Sequence, residues 1–236
     1  MDAVILLNKP AGMTSFDAVA KCRKIFHERK IGHTGTLDPE ASGLMIILLG
    51  KYTKLLPYCV KNHKAYQATL KLGEMTDTED IWGTIINTKT PSIHTEVEID
   101  NAVQSLTGDI LQVPPMYSAL KKDGKKLYEY ARQGIEIERE ARPVHISTLE
   151  VEKIDETNYR MNAVVSSGTY IRTLIADFGK QLDELAIMAS LVRTKIEHLS
   201  IEEACTFEGL ESGKAFLSPK QVIDPAYKIV ETDRVA

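Results

Sequence analysis

Residues 32–50 read GHTGTLDPEASGLMIILLG. The run Leu44–Leu49 is fully apolar and is closed by Gly50, which is typical of a central strand buried on both faces. Three residues that interrupt regular structure come before it: Gly32, Gly35 and Pro39. The stretch therefore predicts a loop, with Asp38 inside it, that leads into a buried strand.

Hydrophobic patterns on both sides of this stretch predict strands and helices in mixed order. Short apolar or alternating runs predict strands at 4–7, 66–72, 144–153, 159–166 and 187–194. Helical spacing predicts helices from the capping box 14–17 to near Lys30, and over 97–106, 125–133 and 170–182. The acidic, polar residues 74–80 predict an exposed loop. Because the elements do not alternate strictly, we predict an α+β fold.

Length and composition are compatible with one large sheet-based domain. The chain has 236 residues, of which 43% are hydrophobic and 26% charged, so it can bury a core without disulfides or metals. No repeat or clear linker divides it. We predict one catalytic domain at 1–212 and a short C-terminal tail at 213–236.

Several classes of functional site have no signature in the sequence. There is no GxxxxGK[ST] loop, no GxGxxG after a strand, no HExxH and no CxxC, and the six histidines are scattered. We therefore expect neither a cofactor nor a metal. The three cysteines form no disulfide framework, and the first apolar run is too short for a signal peptide or a membrane span. These features predict a cytoplasmic protein.

The net charge of -4 hides an uneven distribution. Residues 1–65 contain 10 Lys and Arg against 5 Asp and Glu, a balance of +5, whereas residues 66–160 contain 11 against 17, a balance of -6. A basic N-terminal third can attract phosphates even in an acidic protein. It can equally be the solvated face of the first helix.

Four single residues have a chemical interpretation and an ordinary one. Asp38 can be a desolvated carboxylate beside a strand, or the start of an Asp-Pro turn, which its residue types favour. Arg172 can pair with a carboxylate or lie on the surface of a helix. Tyr66 can stack on a base or belong to the core, and His33 can be a loop or core residue or brace a displaced base.

A basic and aromatic cluster follows in the middle of the chain. Lys121, Lys122, Lys125 and Lys126 lie close to Tyr117, Tyr128 and Tyr130. Such a cluster suits contact with phosphates and unstacked bases, and it can equally be the solvated tip of a hairpin.

Taken together, these segments resemble the motifs of bacterial TruB-type tRNA pseudouridine synthases. The resemblance covers about residues 3–205, and its most specific motif is 32–44. The other motifs occur in the order in which the family has them. One precedes this motif and four follow it: Leu7–Ser15, and then Lys64–Tyr66, Pro114–Lys121, Ser167–Arg172 and Leu191–Thr194. The resemblance implies a pseudouridine synthase fold, with a large mixed, mostly antiparallel sheet flanked by helices and loops.

The resemblance also implies the reaction and the partner. The T-loop uridine at tRNA position 55 would be flipped out, cleaved from its sugar and rejoined through C5, without cofactor or metal. The T arm and T loop of tRNA would be the partner, and we expect a monomer with no obligate protein partner and no membrane contact.

Roles for individual residues come from the same resemblance. Asp38 would be the essential carboxylate, Tyr66 would stack on the target base and assist proton removal, and Arg172 would pair with Asp38. The remaining candidates would bind substrate or brace the site: Lys9, His33, Gly35, Thr36, Tyr170 and Leu191.

Two departures from the family pattern stand out. Residues 195–199 lack a glycine that usually follows Leu191–Thr194, and the residues after Ser212 are too few for the RNA-binding PUA domain common in the family. We therefore expect weaker RNA binding with the same chemistry, in a naturally short or a shortened chain. Two other hypotheses remain open: an RNA-binding module without chemistry, and a guide-RNA-dependent relative.

Overall fold

The computed structural model describes residues 1–211 and 216–227, which belong to two compact units. The first unit consists of Met1–Lys64 and the chain from Val192 onwards, and the second unit is Ala65–Leu191. Of the tail predicted at 213–236, residues 213–215 and 228–236 lie outside the described residues. None of the helices in the described ranges is long and apolar enough to cross a membrane.

Strands and helices alternate irregularly along the chain. The strands are β1 Ala3–Lys9, β2 Ile31–Thr34, β3 Ser42–Leu49, β4 His63–Leu72, β5 Glu74–Thr76, β6 Ile85–Thr88, β7 Gly108–Gln112, β8 Lys121–Lys122, β9 Lys125–Lys126, β10 Arg142–Lys153, β11 Asn158–Ser166, β12 Ala186–Ile196 and β13 Leu199–Ser200. The helices are α1 Ser15–Phe26, α2 Glu96–Ser105, α3 Leu127–Ala131, α4 Ile171–Gln181 and α5 Phe207–Glu211. Short 3-10 helices lie at Gly50–Tyr58, Ile201–Glu203 and Pro219–Gln221.

The first unit is built around β3. This strand pairs antiparallel with β1, from Ala3↔Leu49 to Lys9↔Gly43, and antiparallel with β2. Its first residues also pair in parallel with β12, where Arg193 lies opposite Gly43. All six residues of Leu44–Leu49 have no exposed surface, so the central buried strand is confirmed. Burial of such an apolar run contributes favourably to the folding free energy of this unit through the hydrophobic effect.

The second unit contains the antiparallel part of the sheet. In its strand order β4 is followed by β11, β10 and β7, and β10 pairs antiparallel with both β11 and β7. Alternate residues of β11 point into the core, as the sequence pattern predicts. Helix α4 buries one apolar face through Ile171, Leu174, Ile175 and Phe178.

The predicted fold class is confirmed, since the described residues form mixed, mostly antiparallel strand pairings flanked by helices. Three local predictions outside the segment 32–50 are wrong. Helix α1 ends at Phe26, because His27 adopts a left-handed conformation with φ 50°. Residues 74–80 contain β5, which pairs with β6. Of 125–133 only α3 is helical, because Asp123 and Gly124, with φ of 54° and 80°, form the turn that joins β8 to β9.

A glycine at the start of β3 permits the parallel pairing with β12. Gly43 has φ 115°, and a Cβ at this position would lie 2.6 Å from the backbone nitrogen of Arg193. Real Cβ atoms do not approach backbone this closely, so any side chain would push the two strands apart.

We therefore predict that Gly43→Ala lowers the free energy of unfolding by at least about 2 kcal/mol, measured by urea denaturation. Gly124→Ala is the matched control, because Gly124 also has positive φ but no atom within 4 Å of the added Cβ. That control should cost only the conformational strain, about 1 kcal/mol. Equal losses in both variants would contradict the steric explanation.

Candidate active site

Asp38 lies in a loop of the first unit whose backbone is fixed on both sides of it. On one side, the Ser15 hydroxyl accepts a hydrogen bond from the Leu37 amide at 2.9 Å and donates to the Leu37 carbonyl at 3.1 Å. On the other side, the Pro39 carbonyl accepts from the Gly12 amide at 3.1 Å. Asp38 is half-buried, and its side chain stands on a backbone that is fixed on both sides.

Asp38 also starts a turn, as its residue types predicted. Its carbonyl accepts from the Ala41 amide at 3.1 Å, and Pro39 and Glu40 are the central residues of the turn. The two interpretations of Asp38 are therefore compatible, since the turn involves its backbone carbonyl and the chemical interpretation concerns its side chain.

Lys9 fixes the same loop from β1. Its side chain is fully buried, and its ammonium group donates to the carbonyls of Pro10 at 2.8 Å, Met13 at 2.7 Å and Pro39 at 3.1 Å. Burial lowers the pKa of Lys9, while the carboxylates of Glu40 and Asp38 act in the opposite direction. Three carbonyl acceptors are what make such a buried cation tolerable.

Arg193 is a second buried cation beside this loop, and sequence reasoning missed it. The residue is 1% exposed, and its guanidinium donates to the carbonyls of Leu44 and Gly35. One signal was present: on β12 a charged residue occupies an inward position, two residues after the buried Leu191. The pattern of the strand alone marks such a residue as unusual, because a buried charge needs bonded partners.

The other candidates of the first unit flank the Asp38 loop. His33 lies on β2 opposite Ile47, so the prediction of a loop at this position is wrong. Burial, and then the charge of Arg193, lower the pKa of His33, which leaves a neutral imidazole at neutral pH. Gly35 and Thr36 are exposed just after this strand, where a substrate can reach them.

Lys64 adds a third cation to this part of the first unit. A Cβ at Gly35 would lie 3.7 Å from its Cε, so the lysine stem packs beside the loop. Burial, with a further contribution from Arg193, lowers the pKa of Lys64 to about 8. The first unit thus brings Lys9, Lys64 and Arg193 around one short loop.

Arg172 lies in the second unit and is not a surface residue. It is 5% exposed, and its guanidinium donates to the carbonyls of Thr78 at 2.8 Å and Tyr117 at 2.9 Å. Its Nη1 also lies 4.0 Å from a carboxylate oxygen of Asp80. The two carbonyl bonds fix the orientation of this guanidinium, which α4 presents from its first turn.

Tyr66 and Leu191 lie on β4 and β12 in the second unit. The residues that follow Tyr66 on the same face, Ala68 and Leu70, are fully buried, whereas Tyr66 itself is half-buried. An accessible ring at the end of a buried stripe suits stacking on a base better than core packing. Leu191 is 8% exposed and has an apolar side chain suited to packing.

Tyr170 is held at the N-cap of α4 by a side chain from β7. The amide of Gln112 accepts from the Tyr170 backbone nitrogen at 2.8 Å and donates to its carbonyl at 3.1 Å. Gln112 is 2% exposed and was not among the predicted residues. A buried Gln pinned to the residue before Ile171 sets the start of the helix that presents Arg172.

The basic and aromatic cluster of the second unit forms a hairpin and a short helix. Lys125 lies 4.5 Å from the ring centroid of Tyr130, and Lys126 and Arg132 lie 5.4 and 5.2 Å from that of Tyr128. These contacts use the tyrosine faces for cations within the protein. Lys121 and Lys122 of β8 are exposed, so phosphate can reach them.

The arrangement can provide a carboxylate in a fixed position, a neutral imidazole and several buried cations. Within residues 1–211 and 216–227, no group of three or more His, Cys, Asp or Glu side chains could hold a metal ion. The chemistry that these residues support is nucleophilic or acid–base catalysis by a carboxylate.

Comparisons with known sequences identify relatives that match most of the chain. The family model described as TruB family pseudouridylate synthase (N terminal domain) matches residues 23–171. The tRNA pseudouridine synthase B of Clostridium perfringens is 44% identical over 238 residues, which cover 99% of this chain and 81% of that protein. The same enzyme of Bacillus subtilis is 44% identical over 90% of this chain and 71% of that protein.

Solved structures show the same fold. A chain from the crystal structure of a Cbf5-Nop10-Gar1 complex matches with a TM-score of 0.69 and 30% identity, covering 89% of this chain and 54% of that one. A chain from an H/ACA RNP bound to a substrate RNA containing 2'-deoxyuridine matches with a TM-score of 0.66 and 26% identity, covering 89% and 52%. The present chain therefore spans about half the length of these solved chains.

The lowered pKa of Lys64 predicts a pH dependence of stability. Between pH 8 and about 10.4 the unfolded chain binds a proton at Lys64 that the folded protein has lost. Stability therefore rises with pH in this window, since the unfolded state binds more protons. The free energy of unfolding of the wild type, relative to Lys64→Met, should increase as the pH rises from 8 to 10.

Urea denaturation at several pH values measures this difference. Lys195→Met serves as the control, because Lys195 is exposed on β12 and a solvated ammonium is not desolvated on folding. A difference between wild type and Lys64→Met that stays constant with pH would contradict the assignment of a desolvated Lys64.

Proposed function

This chain belongs to the TruB family of pseudouridylate synthases, and on that premise we propose that it isomerises a uridine of tRNA to pseudouridine. The observation that carries the proposal is the position of Asp38. A half-buried carboxylate stands between two residues, Leu37 and Pro39, whose backbones are hydrogen-bonded to other parts of the first unit. A reaction that depends on one carboxylate needs such fixed placement.

The reaction exchanges one bond to the ribose for another. The bond between C1′ of the ribose and N1 of uracil breaks, the free base turns, and a bond between C1′ and C5 forms. The hydrogen at C5 leaves as a proton and N1 gains one, so no oxidant, reductant or cofactor is consumed. We propose that Asp38 promotes the cleavage, either as a nucleophile or as the group that assists departure of the base.

The remaining roles follow from the motifs and from local structure. We propose that Tyr66 stacks on the target base and assists proton removal, which its half-buried ring allows. Arg172 is proposed to pair with Asp38, and Leu191 to pack against the displaced base. Lys9 braces the loop, as its three carbonyl contacts support. Substrate contacts are assigned to the candidates His33, Gly35, Thr36 and Tyr170.

The proposed substrate is the T arm of tRNA, with the T-loop uridine at position 55 as the target. The base must leave its stack to meet Asp38, and the neutral ring of His33 is suited to brace the gap. The cationic excess of residues 1–65 favours a phosphate backbone. The proposal includes a cytoplasmic enzyme, because the proposed substrate is a cytoplasmic RNA, and a monomer.

A second candidate function is a synthase that needs a guide RNA and protein partners. The likeness to chains of the Cbf5 and H/ACA RNP structures favours it, whereas the two bacterial relatives are more similar in sequence. Incubation of the purified chain alone with an unmodified tRNA transcript separates the two. Pseudouridine at position 55 supports the free enzyme. No product would overturn our proposal, and tRNA binding without product would indicate an RNA-binding module.

We predict that Asp38→Asn retains tRNA binding and loses turnover by several orders of magnitude, because the amide cannot act as a nucleophile or a base. Release of tritium from C5-labelled uridine measures turnover, and filter binding measures affinity. Glu40→Gln is the matched control, since it makes the same change two residues away. Near-normal turnover of Asp38→Asn would refute the assignment.

We also predict that Arg172→Lys reduces the single-turnover rate by about 100-fold, since a lysine cannot reproduce the planar, doubly bonded guanidinium. Arg160→Lys is the control, because Arg160 is an exposed residue of β11 with one ion pair to Glu152. The control should react at the wild-type rate. Equal rates for both variants would remove Arg172 from the proposed site.

A further inference from the structure

The most informative feature outside the assigned roles is the side chain of Arg193. It is among the largest fully buried side chains of the described residues. Its Nε donates to the carbonyl of Leu44 at 2.7 Å, and its Nη2 donates to the carbonyl of Gly35 at 3.0 Å. Both bonds are of ordinary length for a charged donor, and both partners are main-chain atoms.

These two acceptors bracket the loop that contains Asp38. Gly35 precedes Asp38 by three residues and Leu44 follows it by six, so one rigid guanidinium connects both ends of the loop. The backbone of Arg193 is fixed as well, since it pairs with Gly43. The planar guanidinium therefore fixes the distance between the residue that precedes the loop, Gly35, and the one that follows it, Leu44.

A side chain at position 35 would strain the backbone that accepts one of these bonds. Gly35 has φ 68°, a left-handed conformation that favours glycine, whereas a Cβ there would lie 3.4 Å from Nη1 of Arg193, at ordinary van der Waals distance. The carbonyl that accepts the Nη2 bond therefore belongs to a residue whose backbone conformation depends on glycine.

We infer that Arg193 is a positioning residue, which sets the place of the Asp38 carboxylate by holding the two ends of its loop. The inference rests on the proposed function, since it concerns the rate of that reaction. Arg193 acts through main-chain carbonyls and does not itself need to meet the substrate. A displacement of a catalytic group by about 1 Å can cost about 100-fold in rate.

The electrostatic surroundings agree with this role. The charge of Arg193 contributes to lowering the pKa of His33, of Lys64 and of Lys9. The loop is thus held by a buried cation whose planar fork meets two carbonyls. A lysine in its place would offer one compact ammonium group without that fork.

The test compares Arg193→Lys with wild type in single-turnover reactions on C5-tritiated tRNA. We expect a rate about 100-fold lower, with the dissociation constant for tRNA changed by less than about threefold. Hydrogen exchange of the peptide covering residues 35–44 should be faster in the variant. A wild-type rate, or a loss confined to tRNA affinity, would overturn the inference.

A matched control separates positioning from general destabilisation. Ile196→Ala removes a buried side chain from the same strand, three residues further on, in the apolar core of the first unit. At a temperature where both variants are folded, Ile196→Ala should keep the wild-type rate and the wild-type exchange of residues 35–44. An equal loss of rate in Ile196→Ala would overturn the inference.

A second variant covers the case in which Arg193→Lys does not fold. Gly35→Ala strains the backbone whose carbonyl accepts the Nη2 bond of Arg193, and we expect a reduced single-turnover rate at saturating tRNA, with faster exchange of residues 35–44 in the free protein. Unchanged rate and exchange would contradict the inference. Failure of the proposed function is distinguishable, because wild type would then release no tritium, whereas failure of this inference leaves wild type active and the variants equal to it.

Discussion

The organisation of the first unit depends on bonds between buried cations and main-chain carbonyls. Lys9 and Arg193 have almost no exposed surface, and their donors reach five carbonyls in the described structure. A buried ammonium or guanidinium without such partners would be strongly unfavourable. The need for these bonds constrains the local fold. Lys9 of β1 and Arg193 of β12 must lie within hydrogen-bond distance of their carbonyl acceptors, and the Asp38 loop is held in place as a result.

A fixed loop has a chemical advantage for the proposed reaction, in which the base is freed from the ribose before it is rejoined. The uracil must stay close to the ribose while it turns, so the groups around it cannot move far between the two bond changes. Hydrogen bonds to backbone atoms on both sides of Asp38 limit the motion of the carboxylate without using its oxygens. The protein scaffold thus provides the rigidity of this loop.

Strong hydrophobic periodicity made much of the fold predictable from the sequence. The remaining features depend on partners that are distant in the chain, and local patterns do not reveal them. The apolar run of β3 and the alternation of β11 were sufficient to predict these two strands. Strand β2 could not be predicted, because Gly32 and His33 have no strand pattern and are held by pairing with β3. The residue types at Asp38 favoured a turn, and only the family resemblance assigned it a chemical role. Arg193 was missed because its acceptors lie 149 and 158 residues away in sequence.

The division of the chain into units has a consequence for biosynthesis. The second unit, Ala65–Leu191, is continuous, so all its strands have been synthesised before residue 192 is added. The first unit is interrupted, and β3 acquires its parallel neighbour only when the end of β12 leaves the ribosome. Domains generally fold as units during translation, with the earlier completed one first. The nascent chain thus completes the segment with Arg172 before the one with Asp38, and a chain interrupted before Arg193 lacks the side chain that bonds to Leu44 and Gly35 on either side of Asp38.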